Sequence, residues 1–313
     1  MNEPERVVEA EIVKVEDLHS GAAHREYSQP EYSQLEDSQH EGSQQQDQPK
    51  PHQPRWRLPL VLFLATCFST YLTGGLAFAT ALMLILLAHE FGHFLQARRY
   101  GVPASLPCFI PMPLSPIGTM GAVIAMQPGK GTRRMVFDIG ISGPIAGFFP
   151  AVFFSLYGLY QSEIVNMKDV ELGLSLGEPL IFKAMVYWVL GPLPEGWDVV
   201  LHPVAYAGWV GIFITALNLF PIGQLDGGHI LYCLLRKRSH SVAKLVLVGC
   251  IAAVVYYQYW GWVLMLSLLI WMGAVHPKTA NDEEELGAIR IFLGWLALLF
   301  MPLGFTPVPF ILN

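Results

Sequence analysis

Residues 58–88 have the sequence LPLVLFLATCFSTYLTGGLAFATALMLILLA, and none of them is charged. At about 1.5 Å per residue, a helical stretch of this length is too long for one simple bilayer crossing and too short for two full ones. Gly74 and Gly75 interrupt it, and a glycine pair is a poor helix interior and a good turn. The stretch therefore predicts a short first membrane helix, residues 58–73, followed by a second, residues 76–100.

The composition of the whole chain also indicates a membrane protein. Of the 313 residues, 53% are hydrophobic and only 14% are charged, and this is too apolar for a soluble domain of that size. The net charge of −6 provides no basic stripe for nucleic acid. The four cysteines are scattered and form no C-x-x-C pair, so they predict neither a disulfide framework nor a thiolate metal site.

Further apolar segments follow the first two, and they lie at residues 135–160, 199–220, 242–259, 261–275 and 287–304. Together they predict an all-α polytopic membrane protein with about six to seven transmembrane helices. Residues 180–190 are too few to span a bilayer and predict a surface helix instead.

Residues 1–55 are rich in Gln, Glu, Ser and Asp, and a five-residue unit recurs in them as EYSQP, EYSQL, EDSQH and EGSQQ. The segment lacks the apolar surface that offsets chain entropy, which predicts a disordered tail. Its acidic start does not have the pattern of a signal peptide. The tail is either a flexible tether or an arm that binds an unidentified partner.

The basic residues predict the orientation, because Lys and Arg near span ends are retained in the cytoplasm. When the spans are laid end to end, nearly all basic residues fall on the side of the tail, and only Lys168 and Lys183 fall opposite. The tail and the ends of the second and fourth spans are therefore predicted to be cytoplasmic. Residues 161–198 are predicted to be mostly on the other side.

Near the cytoplasmic end of the second predicted helix, residues 89–93 form the sequence H-E-F-G-H. Helix positions four apart share a face, so His89 and His93 can bind one metal, and Glu90 can reach a water on that metal. Ionisable side chains are costly at membrane depth, so three within five residues indicate that they coordinate something. The alternative is a polar helix end that reaches to water, helped by Arg98 and Arg99.

A catalytic zinc ion needs a third protein ligand and one open position. The best candidate is Asp226, in the sequence NLFPIGQLDGGH of residues 218–229, at the cytoplasmic end of the fourth predicted span. Its proline and glycines disfavour a continuous helix, and broken backbone is tolerated at membrane depth where it lines a polar cavity. Two alternatives are that Asp226 caps a following helix, residues 227–235, and that His229 is the ligand instead.

The combination of an intramembrane H-E-x-x-H with N-x-x-P-x-x-x-L-D-G at residues 218–227 resembles the site-2 protease family of intramembrane zinc metalloproteases. The resemblance covers residue 58 to about residue 240. Residues 118–124, GTMGAVI, resemble the membrane-embedded β element of the family, and residues 141–147, ISGPIAG, resemble its Gly-Pro element. The closing pattern at residues 276–295 resembles a bacterial and chloroplast branch.

The resemblance implies a role for each matching residue. His89, His93 and Asp226 would be the zinc ligands, Glu90 the general base, and Asn218 a group that positions substrate or stabilises the oxyanion. An edge strand for an extended peptide substrate would come from Gly121, Ala122, Val123 and Ile124. For the glycines of the two supporting segments, the alternative is close helix packing, and for Gly143 and Gly147 it is an equally good interpretation.

The composition of the first 55 residues and the resemblance together divide the chain into a tail (residues 1–55), a catalytic membrane core (56–240) and additional C-terminal helices (241–313). The resemblance implies a Zn²⁺-dependent protease that cleaves transmembrane proteins within the lipid bilayer and has no nucleic-acid partner. The expected location is the bacterial cytoplasmic membrane, with a plastid membrane as the alternative. Two alternative functions remain open, a metal-ion transporter and a catalytically inactive scaffold.

His202 and His276 each precede proline at a span boundary, which predicts interfacial turns without a catalytic role.

Overall fold

A computed structural model describes residues 56–126, 129–167, 173–273 and 275–312. The predicted disordered tail, residues 1–55, lies outside the described residues, as does Lys168. The helices are α1 (Arg57–Arg99), α2 (Arg133–Tyr160), α3 (Leu180–Leu190), α4 (Pro203–Asn218), α5 (Asp226–Leu235), α6 (Ser239–Tyr257), α7 (Val263–Met272) and α8 (Ala288–Gly304).

Helix α1 contains the break that the glycine pair predicts. Gly75 has φ 75° and ψ −175°, while the residues on both sides are helical. A residue with a side chain rarely adopts this conformation, so glycine is required there. The two predicted helices therefore follow one another directly, with a single residue between them rather than a loop, and the second ends at Arg99.

Helix α4 lies at the centre of the fold and packs against α1, α2 and α8. Most of its residues are apolar, 11 of the 16 are buried, and Trp209 is completely inaccessible. A helix that is hydrophobic on every side belongs in a core. Its burial fixes the position of its last residue, Asn218.

Among the described residues, three helical stretches are long and apolar enough to cross a membrane: Arg57–Arg99, Arg133–Tyr160 and Asp226–Tyr257. The third joins α5 to α6 through a 3₁₀ turn at Arg236–Arg238. Shorter apolar helices lie at Leu180–Leu190, Pro203–Asn218, Trp260–Trp271 and Ala288–Gly304. The described residues are thus mostly helical and have membrane-protein character, and the count of six to seven crossings stays a prediction.

In the described segments, three small antiparallel sheets lie between the helices. Strands β1 (Cys108–Met112) and β2 (Gly118–Val123) form a hairpin at the position of the predicted β element, and its placement inside a membrane stays a prediction. Strand β3 (Glu163–Asn166) pairs with β5 (Trp197–Val200), and β4 (Leu174–Leu176) pairs with β6 (Phe310–Leu312). Within the described part of the chain, β2 pairs with β1 alone, so its other edge carries no third strand.

Candidate metal centre

Three side chains that can bind a metal meet between α1 and the start of α5. His89 and His93 lie one turn apart on α1, and Asp226 is the first residue of α5. The Nε2 atom of His89 lies 3.1 Å from Oδ2 of Asp226, and that of His93 lies 3.3 Å from Oδ1. The two Nε2 atoms are 3.2 Å apart. The structure therefore brings the three predicted ligands together.

The spacing of these donors fits a zinc ion. Zinc binds nitrogen at about 2.0–2.1 Å with tetrahedral angles, which places two ligand atoms about 3.4 Å apart. The distances between the three donors, 3.1, 3.2 and 3.3 Å, are close to that value. Two imidazoles and one carboxylate leave a fourth position open, as in catalytic zinc sites.

The position of Asp226 decides between the alternatives for this residue. Leu225 precedes the first helical residue of α5 and occupies the capping position, so the interpretation of Asp226 as the helix cap is wrong. The Asp226 carboxylate contacts the histidines instead. His229, the rival ligand, lies outside the three-residue cluster, and its Nδ1 atom pairs with His276.

Contacts around the ligands set the orientation of their rings. Nδ1 of His93 donates a hydrogen bond to the Ile139 carbonyl oxygen at 2.7 Å, which leaves Nε2 with a free lone pair for a metal. The Asn218 amide nitrogen lies 3.3 Å from Nε2 of His89. The contact with the Ile139 carbonyl was missed from sequence, because any residue type supplies a backbone carbonyl.

Helix α2 approaches the ligands closely through two glycines. A Cβ atom on Gly143 would lie 2.0 Å from Nε2 of His93, and one on Gly147 would lie 2.9 Å from Cβ of His89. A side chain at either position would occupy the space of a ligand ring. These glycines therefore allow α2 to pack directly against the two predicted ligands, which is a physical reason for the glycines in residues 141–147.

A cavity of about 230 Å³ opens at the ligands. Glu90 lines it and is only 4% exposed, and Asn218 lies on its wall. Among the four predicted strand residues, three line the cavity and Gly121 does not; the three are Ala122, Val123 and Ile124. The cavity therefore joins the ligand cluster to the free edge of β2.

Two histidines that were predicted to lie in interfacial turns have different environments. His202 precedes α4, and its Nδ1 accepts a hydrogen bond from the Val204 amide. His276 is buried, lines the cavity and contacts His229. Its involvement in the site was missed from sequence, where the only local signal was the His-Pro pair.

Comparison with known proteins now identifies the family. A family model described as peptidase family M50 matches residues 77–257, more than half of the chain and both motifs. The chain belongs to peptidase family M50, the site-2 proteases. In this M50 chain, the match ends before His276 and the residues that follow it.

Two relatives of the M50 chain come from Arabidopsis thaliana. The first, probable zinc metalloprotease EGY2, chloroplastic, is 29% identical over 248 residues, which cover 75% of this chain and 43% of the relative. The second, probable zinc metalloprotease EGY1, chloroplastic, is 30% identical over 250 residues, which cover 76% and 44%. The chain thus spans less than half the length of these relatives.

Proposed function

We propose that the chain is an intramembrane zinc metalloprotease that hydrolyses peptide bonds in or near transmembrane segments. The observation that carries this proposal is the convergence of His89, His93 and Asp226 in a buried cavity that also contains Glu90. The names of the two plant relatives support it, since both are described as zinc metalloproteases.

His89, His93 and Asp226 would hold the zinc ion, which supplies a Lewis acid that lowers the pKa of water and polarises a carbonyl group. Glu90 is the general base. Among the described residues, its carboxylate makes no hydrogen bond. Every fully buried side-chain oxygen in that part of the chain has a hydrogen-bond partner, so the Glu90 oxygens are not fully buried and are open to the cavity that Glu90 lines. Glu90 accepts the proton of the attacking water and returns it to the leaving amine.

Asn218 stabilises the transition state in this proposal. Its amide nitrogen donates a hydrogen bond to the negative charge that develops on the carbonyl oxygen of the substrate. The location of Asn218 at the end of the buried helix α4, next to His89, supports this role. A donor that is fixed before the reaction needs no reorganisation when the charge appears.

The substrate binds as an extended peptide along the free edge of β2, where Gly121, Ala122 and Val123 supply backbone groups together with Ile124, which directly follows the strand. The carbonyl groups of a transmembrane helix are locked in hydrogen bonds, so the substrate must unwind locally before it can pair with this edge. Substrates are therefore expected to contain helix-weakening residues near the scissile bond.

The protease resides in a membrane, and we place its site opening and residues 1–55 on the cytoplasmic side. The predicted location is the bacterial cytoplasmic membrane, and the chloroplastic relatives support the plastid alternative. Residues 1–55 serve as a tether or as an arm for an unidentified partner.

Two variants test the proposal. The full chain is co-expressed with a panel of epitope-tagged single-span membrane proteins, and the zinc content of each purified variant is measured. The wild type should contain zinc and cleave at least one substrate. Glu90→Gln should keep zinc and lose cleavage by at least about a hundredfold, whereas Asp226→Ala should lose both.

Three results would contradict the proposal: a wild-type protein without zinc, full cleavage by Glu90→Gln, or transport of metal ions that Glu90→Gln leaves unchanged. The last result would indicate a transporter, because transport does not need a base next to the ligands.

A further inference from the structure

A second pair of histidines lies beside the ligand cluster. His229 is on α5, one turn after Asp226, and His276 belongs to the strap, defined as residues 276–286 between α7 and α8. Nδ1 of His229 lies 2.6 Å from Nε2 of His276, and the rings meet edge to face with their centres 4.7 Å apart. At this distance, one of the two nitrogens donates a proton and the other accepts it.

The surroundings of His276 determine which nitrogen donates. Nδ1 of His276 lies 2.5 Å from the carbonyl oxygen of Pro277, and a carbonyl oxygen only accepts, so this Nδ1 carries a hydrogen. Burial lowers the pKa of His276 and favours its neutral form, which has a single N–H. Nε2 of His276 is therefore an acceptor, and Nδ1 of His229 is the donor.

The free nitrogen of His229 faces the cavity. In its neutral form, His229 with a hydrogen on Nδ1 presents a lone pair at Nε2. Among the described residues, His229 makes its hydrogen bond through Nδ1. Every fully buried side-chain nitrogen among these residues has a partner, so Nε2, which has none, is not fully buried. Nε2 is therefore accessible from the cavity that His229 lines together with the ligands and β2.

The strap is firmly attached to the helices around the site. The Tyr232 ring stacks on His276 with centres 4.4 Å apart, and the Tyr232 hydroxyl donates to Asp282 at 2.8 Å. Arg133 donates to the Glu284 carbonyl at 3.0 Å, and the Ala280 amide donates to the Gly131 carbonyl at 2.9 Å. His276 is thus held by contacts between the strap and helix α5, and the rest of the strap is attached to α2 and the residues before it.

We propose that His229 is a substrate-binding residue, whose Nε2 accepts a hydrogen bond from a backbone N–H of the peptide, and that His276 is a positioning residue that sets its tautomer. The proposal rests on the protease function proposed above. A peptide paired with β2 enters the same cavity, and its backbone N–H groups are the donors that an acceptor in the wall requires.

Binding measurements on purified, zinc-loaded full chain test the role of His229. Two probes are used. The first is a tripeptide that ends in a hydroxamate, and the second is acetohydroxamate, which has the same zinc-binding group and no peptide. His229→Phe should weaken the tripeptide hydroxamate about five- to tenfold, as expected for one lost hydrogen bond, and leave acetohydroxamate unchanged. His229→Gln retains an acceptor at the ε position and should recover most of the affinity.

His276→Phe and His276→Gln form a matched pair. Phenylalanine keeps the ring that stacks on Tyr232 and removes the acceptor for His229, so the tripeptide hydroxamate should weaken. Glutamine retains an acceptor, so its affinity should stay within about twofold of the wild type. Equal effects of the two variants would overturn the positioning role.

Histidine tautomers can be measured by ¹⁵N NMR on the ring-labelled protein, independently of any ligand. The chain has 10 histidines, and the signal that disappears in His229→Gln assigns His229. The wild type should show hydrogen on Nδ1 and none on Nε2, and His276→Phe should give a mixture of tautomers. A wild-type His229 with hydrogen on Nε2 would overturn the proposal.

The outcomes separate this inference from the protease proposal. If His229→Phe loses zinc and acetohydroxamate binding together, His229 is a metal ligand and the inference is wrong. If the wild type binds neither zinc nor acetohydroxamate, the protease proposal is wrong, and the NMR tautomer alone then decides whether His276 sets the state of His229.

Discussion

His93 is fixed by contacts on three sides. The Ile139 carbonyl holds one ring nitrogen, Asp226 contacts the other, and Gly143 allows α2 to pass directly against the ring. The orientation of this ligand is thus set by the protein before a metal binds, which lowers the entropic cost of binding.

Gly143→Ala tests this arrangement. The added methyl group would lie 2.0 Å from Nε2 of His93, so either the ring or α2 must move. Zinc affinity is expected to fall at least tenfold, as measured by competition with a chromogenic chelator.

Gly249→Ala is the control, because an added Cβ there meets no atom within 4 Å. Both substitutions add one methyl group to a helix, so only the site differs between them. Unchanged zinc affinity in Gly143→Ala would show that α2 does not constrain the ligand.

The meeting of His89, His93 and Asp226 could be predicted from sequence, because helical spacing places the histidines on one face and zinc chemistry requires a third ligand. The contact between His229 and His276 was not predicted. The two residues are 47 positions apart in the sequence, and His276 lies in the non-helical strap. The strap has no periodic pattern from which the contact could be predicted.

The elements around the site are joined by an ion pair between α8 and α2. Arg290 donates to both carboxylate oxygens of Asp138 at 2.7 and 2.8 Å, and Tyr100, at the end of α1, donates to the same carboxylate. Asp138 directly precedes Ile139, whose carbonyl binds His93. The pair therefore anchors the part of α2 that orients a ligand.

Arg290→Met should lower stability by about 1–3 kcal/mol, because it leaves the partly buried Asp138 carboxylate without its cation. Thermal unfolding in detergent measures the change, and exposed Arg238→Met is the control. Asp138→Asn combined with Arg290→Met should recover part of the loss. A double variant as unstable as the sum of the single ones would argue against coupling between the two side chains.

Helices were easier to predict than sheets. The glycine pair predicted the break at Gly75. The apolar segments predicted most helix bounds to within a few residues. The pairing of β4 with β6 joins residues 174–176 to residues 310–312, and no local pattern encodes such a distant partner.

For the whole molecule, the distribution of charge predicts that the β3–β5 region and the Arg236–Arg238 turn lie on opposite sides of the membrane. Single cysteines at the exposed positions Glu195 and Lys237, in a chain whose four native cysteines are replaced by serine, test this prediction. A membrane-impermeant maleimide added to intact cells should label Glu195→Cys and spare Lys237→Cys. Labelling of both from the same side would refute the predicted orientation.

The free edge of β2 has a consequence for how lipid and solvent are arranged around the protein. A backbone amide without a partner costs several kcal/mol in hydrocarbon, so wherever this edge lies within the membrane its unpaired amides need solvent or a peptide as partner. Water must therefore reach these amides at whatever depth the edge lies. A peptide that pairs with β2 replaces this water with its own backbone groups. Entry is then governed by hydration as much as by steric fit, and an unwound segment competes for the edge far better than an intact helix.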